Sequence, residues 1–325
     1  MRSRPLVITF ALAVAACGGE KAKIAPATAP TGTRIVAAVG GDSSKIEGLA
    51  TWKGVLYVAD WKDGTIYSVD PRVPVPAAQA VGRLGTKPGA TILGLVTDAT
   101  GNLYAAIPDP GVVLRVPNAR LGATDFDPAK DVSVYATGVA GANGVTFGSD
   151  GTLWIGGGDH HALYAVAPGG GAGRVIARDY SPVSTDTTMP VRVYTVNGVA
   201  LDKQGRVYTA NTGTGEITRF VVKPDGTAGE KSVFAQSALL IGADGMVMDD
   251  QDRLWVSCNF RNALVRIDPS GALTEVSASG PDGPLHFPAE LKLVGGVAYL
   301  ANLNFPVGAN SGTTDHRASI AVVAP

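Results

Sequence analysis

One pattern recurs along this chain six times. The stretches "IEGLATWKGVLYVADWKDGTIYSVDP", "ILGLVTDATGNLYAAIPDPGVVLRVP", "ANGVTFGSDGTLWIGGGDHHALYAVAP", "VNGVALDKQGRVYTANTGTGEITRFVV" and "ADGMVMDDQDRLWVSCNFRNALVRIDP" share it, and "PAELKLVGGVAYLANLNF" is a degenerate sixth copy. Each unit holds short alternating runs separated by Gly-rich turns. The first run is strand A, followed by a tight hairpin such as "SDGT" or "KQGR", strand B on "LYVAD" or "LWVSC", and strand C on "TIYSVD" or "ALVRID". A fourth strand, such as "RVIARD" or "KSVFAQ", completes the unit. A period of roughly 50 residues built this way predicts an all-β fold, a six-bladed β-propeller. The sixth unit runs out of chain after its strand C, "ASIAVV", while "RIVAAV" at residues 34–39 has no unit of its own. The N-terminal strand is therefore expected to close the last blade, which ties the chain ends together and removes an open sheet edge.

Composition agrees. The 42 Gly, 21 Pro and only 17% charged residues suit many short strands and turns rather than helices. A formal charge of −1 offers no basic surface for nucleic acid or for an anionic membrane. Ahead of the repeats, Arg2 and Arg4 precede the apolar run from Pro5 to Ala16, and "VAAC" places small residues before Cys17. This resembles a bacterial lipoprotein signal, the alternative being an ordinary secretory signal. The resemblance implies cleavage before Cys17 and acyl chains on its thiol. At about 0.8 kcal/mol per buried CH₂ these would hold the protein on the cell envelope, its one contact with a membrane. Residues 1–17 are then the signal, 18–33 a Gly, Ala and Pro-rich tether, and 34–325 the propeller, expected to be a monomer. With Cys17 consumed, Cys258 is the single remaining thiol, lies in an apolar strand and reads as inert packing.

Aligning the units places Glu47, Leu93, Asn143, Asn197, Asp244 and Glu290 at one position of the innermost strands. Innermost strands line the central channel of a propeller, so residues scattered over most of the chain point toward one axis. Any single Asn-Gly or Asp-Gly is more often turn chemistry than a ligand. Three at one register are different. Blades five, six and one are neighbours, so Asp244, Glu290 and Glu47 would crowd three carboxylates into a narrow space unless a cation compensates them. Carboxylate and amide oxygens, with no Cys or matching His among them, suit a hard ion such as Ca²⁺.

Around Glu47 ("IEGL"), Asn143 ("ANGV"), Asn197 ("VNGVALD") and Asp244 ("ADGMVMDDQDRLWV"), residues 34–325 resemble the senescence marker protein, gluconolactonase and luciferin-regenerating enzyme family of six-bladed propellers. The resemblance implies that Glu47, Asn197 and Asp244 bind one catalytic divalent metal, usually Ca²⁺, with Asn143 contributing to the metal or the substrate. It also implies hydrolysis of a small-molecule lactone, ester or phosphotriester. There are departures. Sugar-lactone hydrolases of the family carry Arg two residues before the third-blade Asn, where this chain has Gly141, and the first-blade motif usually has Pro where this chain has Leu49. Asp244 is expected to act as general base or nucleophile. Glu290 would assist if it faces the site, but a one-residue slip in the short sixth unit would turn it away. His160 and His161, on a loop expected to open on the same face, offer a general base or a substrate contact, or are simply solvated. Two insertions, residues 179–194 and 304–317, are expected to wall the pocket. The competing reading from another class is a non-catalytic cell-surface binding propeller with a structural calcium.

Overall fold

The computed structural model describes residues 32–324, so the expected signal, Cys17 and most of the tether lie outside the described residues. Six sheets, antiparallel except where the short strand Gly171–Ala172 pairs parallel with Ser133–Thr137, are arranged as blades. Their innermost strands are Ile46–Trp52, Leu95–Thr97, Val145–Phe147, Val199–Leu201, Ala243–Met248 and Pro288–Val294. Each packs on the next, and the sixth packs on the first, which closes the ring. The last blade has the expected closure: Arg34–Ala38 pairs antiparallel with Ser319–Val323, Ile35 opposite Ala321. Among the described residues the one α-helix is the four-residue turn Pro128–Asp131.

The blades adhere through alternating apolar faces. Leu254, Val256 and Cys258 on the second strand of blade five, for instance, are fully buried against Ala210 and Ile217 of blade four. Cys258 is inert, as expected, because burial pushes its thiol up to about 12.

A repeated polar device sets the hairpin between the first and second strands. Asp249 accepts hydrogen bonds from the backbone N–H groups of Gln251 and Arg253, both at 2.9 Å, from Arg253 Nε at 2.7 Å and from Trp255 Nε1 at 2.8 Å. Asp98 does the same with Thr100, Asn102 and the Tyr104 hydroxyl, and Asp202 with Gln204, Arg206 and the Tyr208 hydroxyl. One carboxylate therefore satisfies the turn, the residue four on and the aromatic six on. The "D-x-x-x-[NR]-x-[YW]" spacing follows from that geometry.

Candidate metal centre

At the register that the repeats single out, the innermost strands of blades one, five and six break pairing with a bulge. In blades two, three and four Leu93, Asn143 and Asn197 lie just ahead of the strand, their N–H groups donating to the carbonyls of Ala106, Gly156 and Ala210. In blade one, Ile46 pairs with Asp60 and pairing resumes at Leu49; in blade five, Ala243 pairs with Cys258 and resumes at Met246. Glu47 and Asp244 occupy the first bulge position, where the local twist re-aims the side chain into the channel. In blade six, Pro288 pairs with Asn302 and resumes at Leu291, so the equivalent residue is Ala289. Glu290 is one position further on. The register therefore corrects the alignment of the degenerate sixth unit: four of the six residues at this level are oxygen donors, the others being Leu93 and Ala289.

The position after it is Gly48, Gly94, Gly144, Gly198 and Gly245 in the first five blades. None has a left-handed φ, so these are not turn glycines. A Cβ on Gly94 would overlap the carbonyl oxygen of Asn143, one on Gly144 would lie 2.6 Å from that of Asn197, and one on Gly198 would overlap that of Asp244. From blade two to blade five the glycines let each blade nest against the backbone of the next blade's residue at the ligand level. The Asn-Gly and Asp-Gly pairs thus serve blade packing and ligand spacing together.

Glu47, Leu93, Asn143, Asn197 and Asp244 line one pocket of about 340 Å³. The two carboxylates are buried, and burial pushes both well above the ordinary carboxylate range. Next in effect, the charges of Asp244 and Glu290 push Glu47 further, while for Asp244 a hydrogen bond from Asn259 opposes the shift and the charge of Glu290 adds to it. Asn259 Nδ2 donates to Asp244 Oδ2 at 2.7 Å. A carboxylate only accepts, so the amide nitrogen of Asn259 must face it, and the amide oxygen is left without a partner. Asn197 is fixed by the same logic. Its Nδ2 donates to Thr212 Oγ1 at 2.9 Å, while that hydroxyl spends its hydrogen on the Ala243 carbonyl at 2.8 Å. Asn197 Oδ1 is therefore also buried without a donor. Two buried carboxylates and the orphaned Asn197 Oδ1 in one pocket form a set that a hard cation would satisfy and that hydrogen bonds within the chain do not. Among the described residues no three His, Cys, Asp or Glu side chains converge as a metal cage, so a cation here would rest on the amides as much as on the acids.

The walls are apolar. Trp61, Tyr194, Phe287 and Phe305 line the pocket with Leu303 and Val191. Phe305 packs edge-on to Trp61, ring centroids 6.0 Å apart, and tilted against Phe287 at 5.6 Å. Val191 and Tyr194 come from the 179–194 insertion and Phe305 from the 304–317 insertion, so both loops form the wall expected of them. Tyr194 and Asn259 were not singled out in the sequence; their signal is position, on connections that open on the ligand face. Burial, then the charges of Glu47, Asp159 and Asp244, push Tyr194 up to about 12, keeping it a neutral hydrogen-bond donor at physiological pH.

Two candidates lie outside the pocket. His160 is exposed, its carbonyl accepting from Arg178, and it is Asp159 beside it that lines the cavity. Left-handed residues Gly158 and His161 turn that loop, and His161 Nδ1 meets Thr195 Oγ1 at 2.9 Å. Glu290 lines no part of the pocket. A larger groove of about 940 Å³ between blades one and two gathers only Lys87 and Asp109 as charged groups and offers no comparable chemistry.

Residues 127–282 match the model of the SMP-30/Gluconolactonase/LRE-like region. The region contains Asn143, Asn197, Asp244 and Asn259, whereas Glu47 enters the site from blade one, outside it. No curated protein matches the chain in sequence. Solved structures do match in fold. A gluconolactonase from Xanthomonas campestris is 18% identical over 92% of this chain and 97% of its own, with a TM-score of 0.59. The calcium-binding protein regucalcin from Agrobacterium tumefaciens is 14% identical over 90% and 97%, TM-score 0.60. Virginiamycin B lyase from Staphylococcus aureus is 15% identical over 82% and 80%, TM-score 0.56. At such identities these likenesses establish the propeller and nothing finer.

Proposed function

We propose that this propeller is a calcium-dependent hydrolase of a small ester, lactone or phosphotriester. The observation that carries the reading is the orphaned amide oxygen Asn197 Oδ1 in one pocket with two buried carboxylates, Glu47 and Asp244. Glu47, Asn143, Asn197 and Asp244 would hold the ion. When bound, it would supply positive charge that polarises the carbonyl or phosphoryl oxygen of the substrate. Asn259 orients Asp244, whose carboxylate would accept the proton of the attacking water. Tyr194 donates a hydrogen bond from the wall, and the aromatic side excludes bulk water from the reacting group. The match of residues 127–282 to the SMP-30/Gluconolactonase/LRE-like model supports this reading at the level of the family. Turnover of aryl esters and γ-lactones, with calcium and with excess chelator, tests it; turnover that chelator leaves untouched removes the metal from the chemistry.

Within that reading the substrate is apolar rather than polyhydroxylated. Gly141 has φ +69°, and a side chain there would overlap the Gly157 carbonyl, so no guanidinium can grip sugar hydroxyls from this position. Simple lactones and aryl esters are expected to be hydrolysed at least about tenfold more efficiently than gluconolactone, since unpaired hydroxyls against an aromatic wall lose hydrogen bonds to water. A kcat/KM comparison decides this, and a preference for gluconolactone overturns it.

We also propose, from the sequence at residues 1–17, that the mature chain starts at a lipidated Cys17 on the cell envelope. Cys17→Ser should move the protein out of the membrane fraction; identical partitioning of variant and wild type overturns the anchor.

A further inference from the structure

The channel has two chambers. Glu47, Asn143, Asn197 and Asp244 line the upper pocket, whereas Thr51, Thr97, Thr146, Met246 and Lys292, further along the same strands, line a second cavity of about 270 Å³. Glu290 belongs to neither and sits between them in sequence, at the one level where the other five blades carry glycine. It is buried, with Oε1 3.2 Å from Lys292 Nζ and accepting from the Leu291 N–H at 2.9 Å. Gly245 leaves room for it: a Cβ on Gly245 would lie 2.5 Å from Glu290 Oε1. The Ser257 hydroxyl shares its one hydrogen between the carbonyls of Gly245 and Ala289 and so ties blade five to blade six. An apolar residue would pack here at lower desolvation cost, so the charge calls for a function.

We propose that Glu290 is a positioning residue that supplies a fixed negative charge beneath the cation site, held in place by Lys292. The inference rests on the cation reading above. Glu290 touches neither the ion nor the substrate; it acts through the field it adds to that of Glu47 and Asp244. Its link to the site is geometric: Glu290 Oε1 lies against Gly245, the residue that follows Asp244 in the bulge of blade five.

Two variants test it. Glu290→Gln keeps the shape and removes the charge, and Glu290→Gly installs the residue that five blades already tolerate. Each leaves the Lys292 ammonium uncompensated and should weaken Ca²⁺ binding, read by isothermal titration, about tenfold. Tb³⁺ binding, read by luminescence, should weaken by a larger factor, because the Coulomb energy scales with the charge of the ion. A purely structural role would lower the melting temperature in chelator without separating the two ions. Affinities within twofold of wild type, or equal factors for Ca²⁺ and Tb³⁺, overturn the inference. If the wild type binds neither ion, the cation reading falls and takes this inference with it; if the wild type binds and the variants match it, only this inference falls.

Discussion

Asp244→Asn is expected to lower ester turnover by at least about 100-fold, the scale of losing a general base, while leaving the fold intact. The substitution preserves shape. An asparagine oxygen at this position still accepts the hydrogen bond from Asn259 Nδ2, so the bulge and the orientation of Asn259 are kept. What disappears is one charge facing the cation and the acceptor for the proton of water. Wild-type protein should also melt at lower temperature in chelator than in calcium, because an ion that binds the native state alone stabilises it by mass action. Without that ion, Glu47, Asp244 and Glu290 bear on one another across a buried channel. The variant has less repulsion to relieve and weaker affinity, so its melting temperature should respond less to chelator. Ester hydrolysis and thermal unfolding of both proteins, each with calcium and with chelator, form the test. Wild-type turnover by Asp244→Asn would remove Asp244 from the chemistry. Absence of activity in both proteins, with chelation still destabilising the wild type, would favour the cell-surface binding propeller with a structural calcium.

The parts of the site that the sequence exposes are those where packing and chemistry demand the same residues. Gly48, Gly94, Gly144, Gly198 and Gly245 are required by blade contacts, and each marks the ligand position just before it, so the register can be read in five blades. Blade six lacks that marker. Ala289-Glu290 looks like a ligand position because Glu290 is acidic, and only the pairing of Pro288 with Asn302 and the resumption at Leu291 show that Ala289 holds the ligand level. His160 fails for a related reason. A loop whose backbone turns through Gly158 and His161 does not transmit a strand's alternation, so which of Asp159 and His160 faces inward depends on φ angles that a sequence pattern does not encode. Asn259 was hidden because its role is to orient another side chain, and a residue directly after "LWVSC" carries no spacing signal for that. The N-terminal closure, by contrast, follows from counting: one strand was missing at one end of the chain and one was spare at the other.

The glycine level predicts the largest loss of stability from a single methyl group. Gly198→Ala is expected to cost about 3 kcal/mol, the upper range for forcing volume into a packed interior, because the added Cβ overlaps the Asp244 carbonyl oxygen. A flexible side-chain tip could swing aside; a backbone carbonyl in the next blade cannot. Strain relief would have to move the innermost strand of blade five, and with it the Asp244 carboxylate, away from Asn197. Stability and cation affinity should therefore fall together, although Gly198 touches no ligand through a side chain of its own. Gly41→Ala is the control, since a Cβ there meets nothing within 4 Å and its φ is not left-handed. It should change stability by less than about 0.5 kcal/mol, as surface substitutions usually do. Urea unfolding followed by far-ultraviolet circular dichroism, paired with a calcium titration, separates the two. If Gly198→Ala unfolds within about 1 kcal/mol of Gly41→Ala, the blades have slack at this level, and the spacing of the ligands must be set elsewhere in the ring.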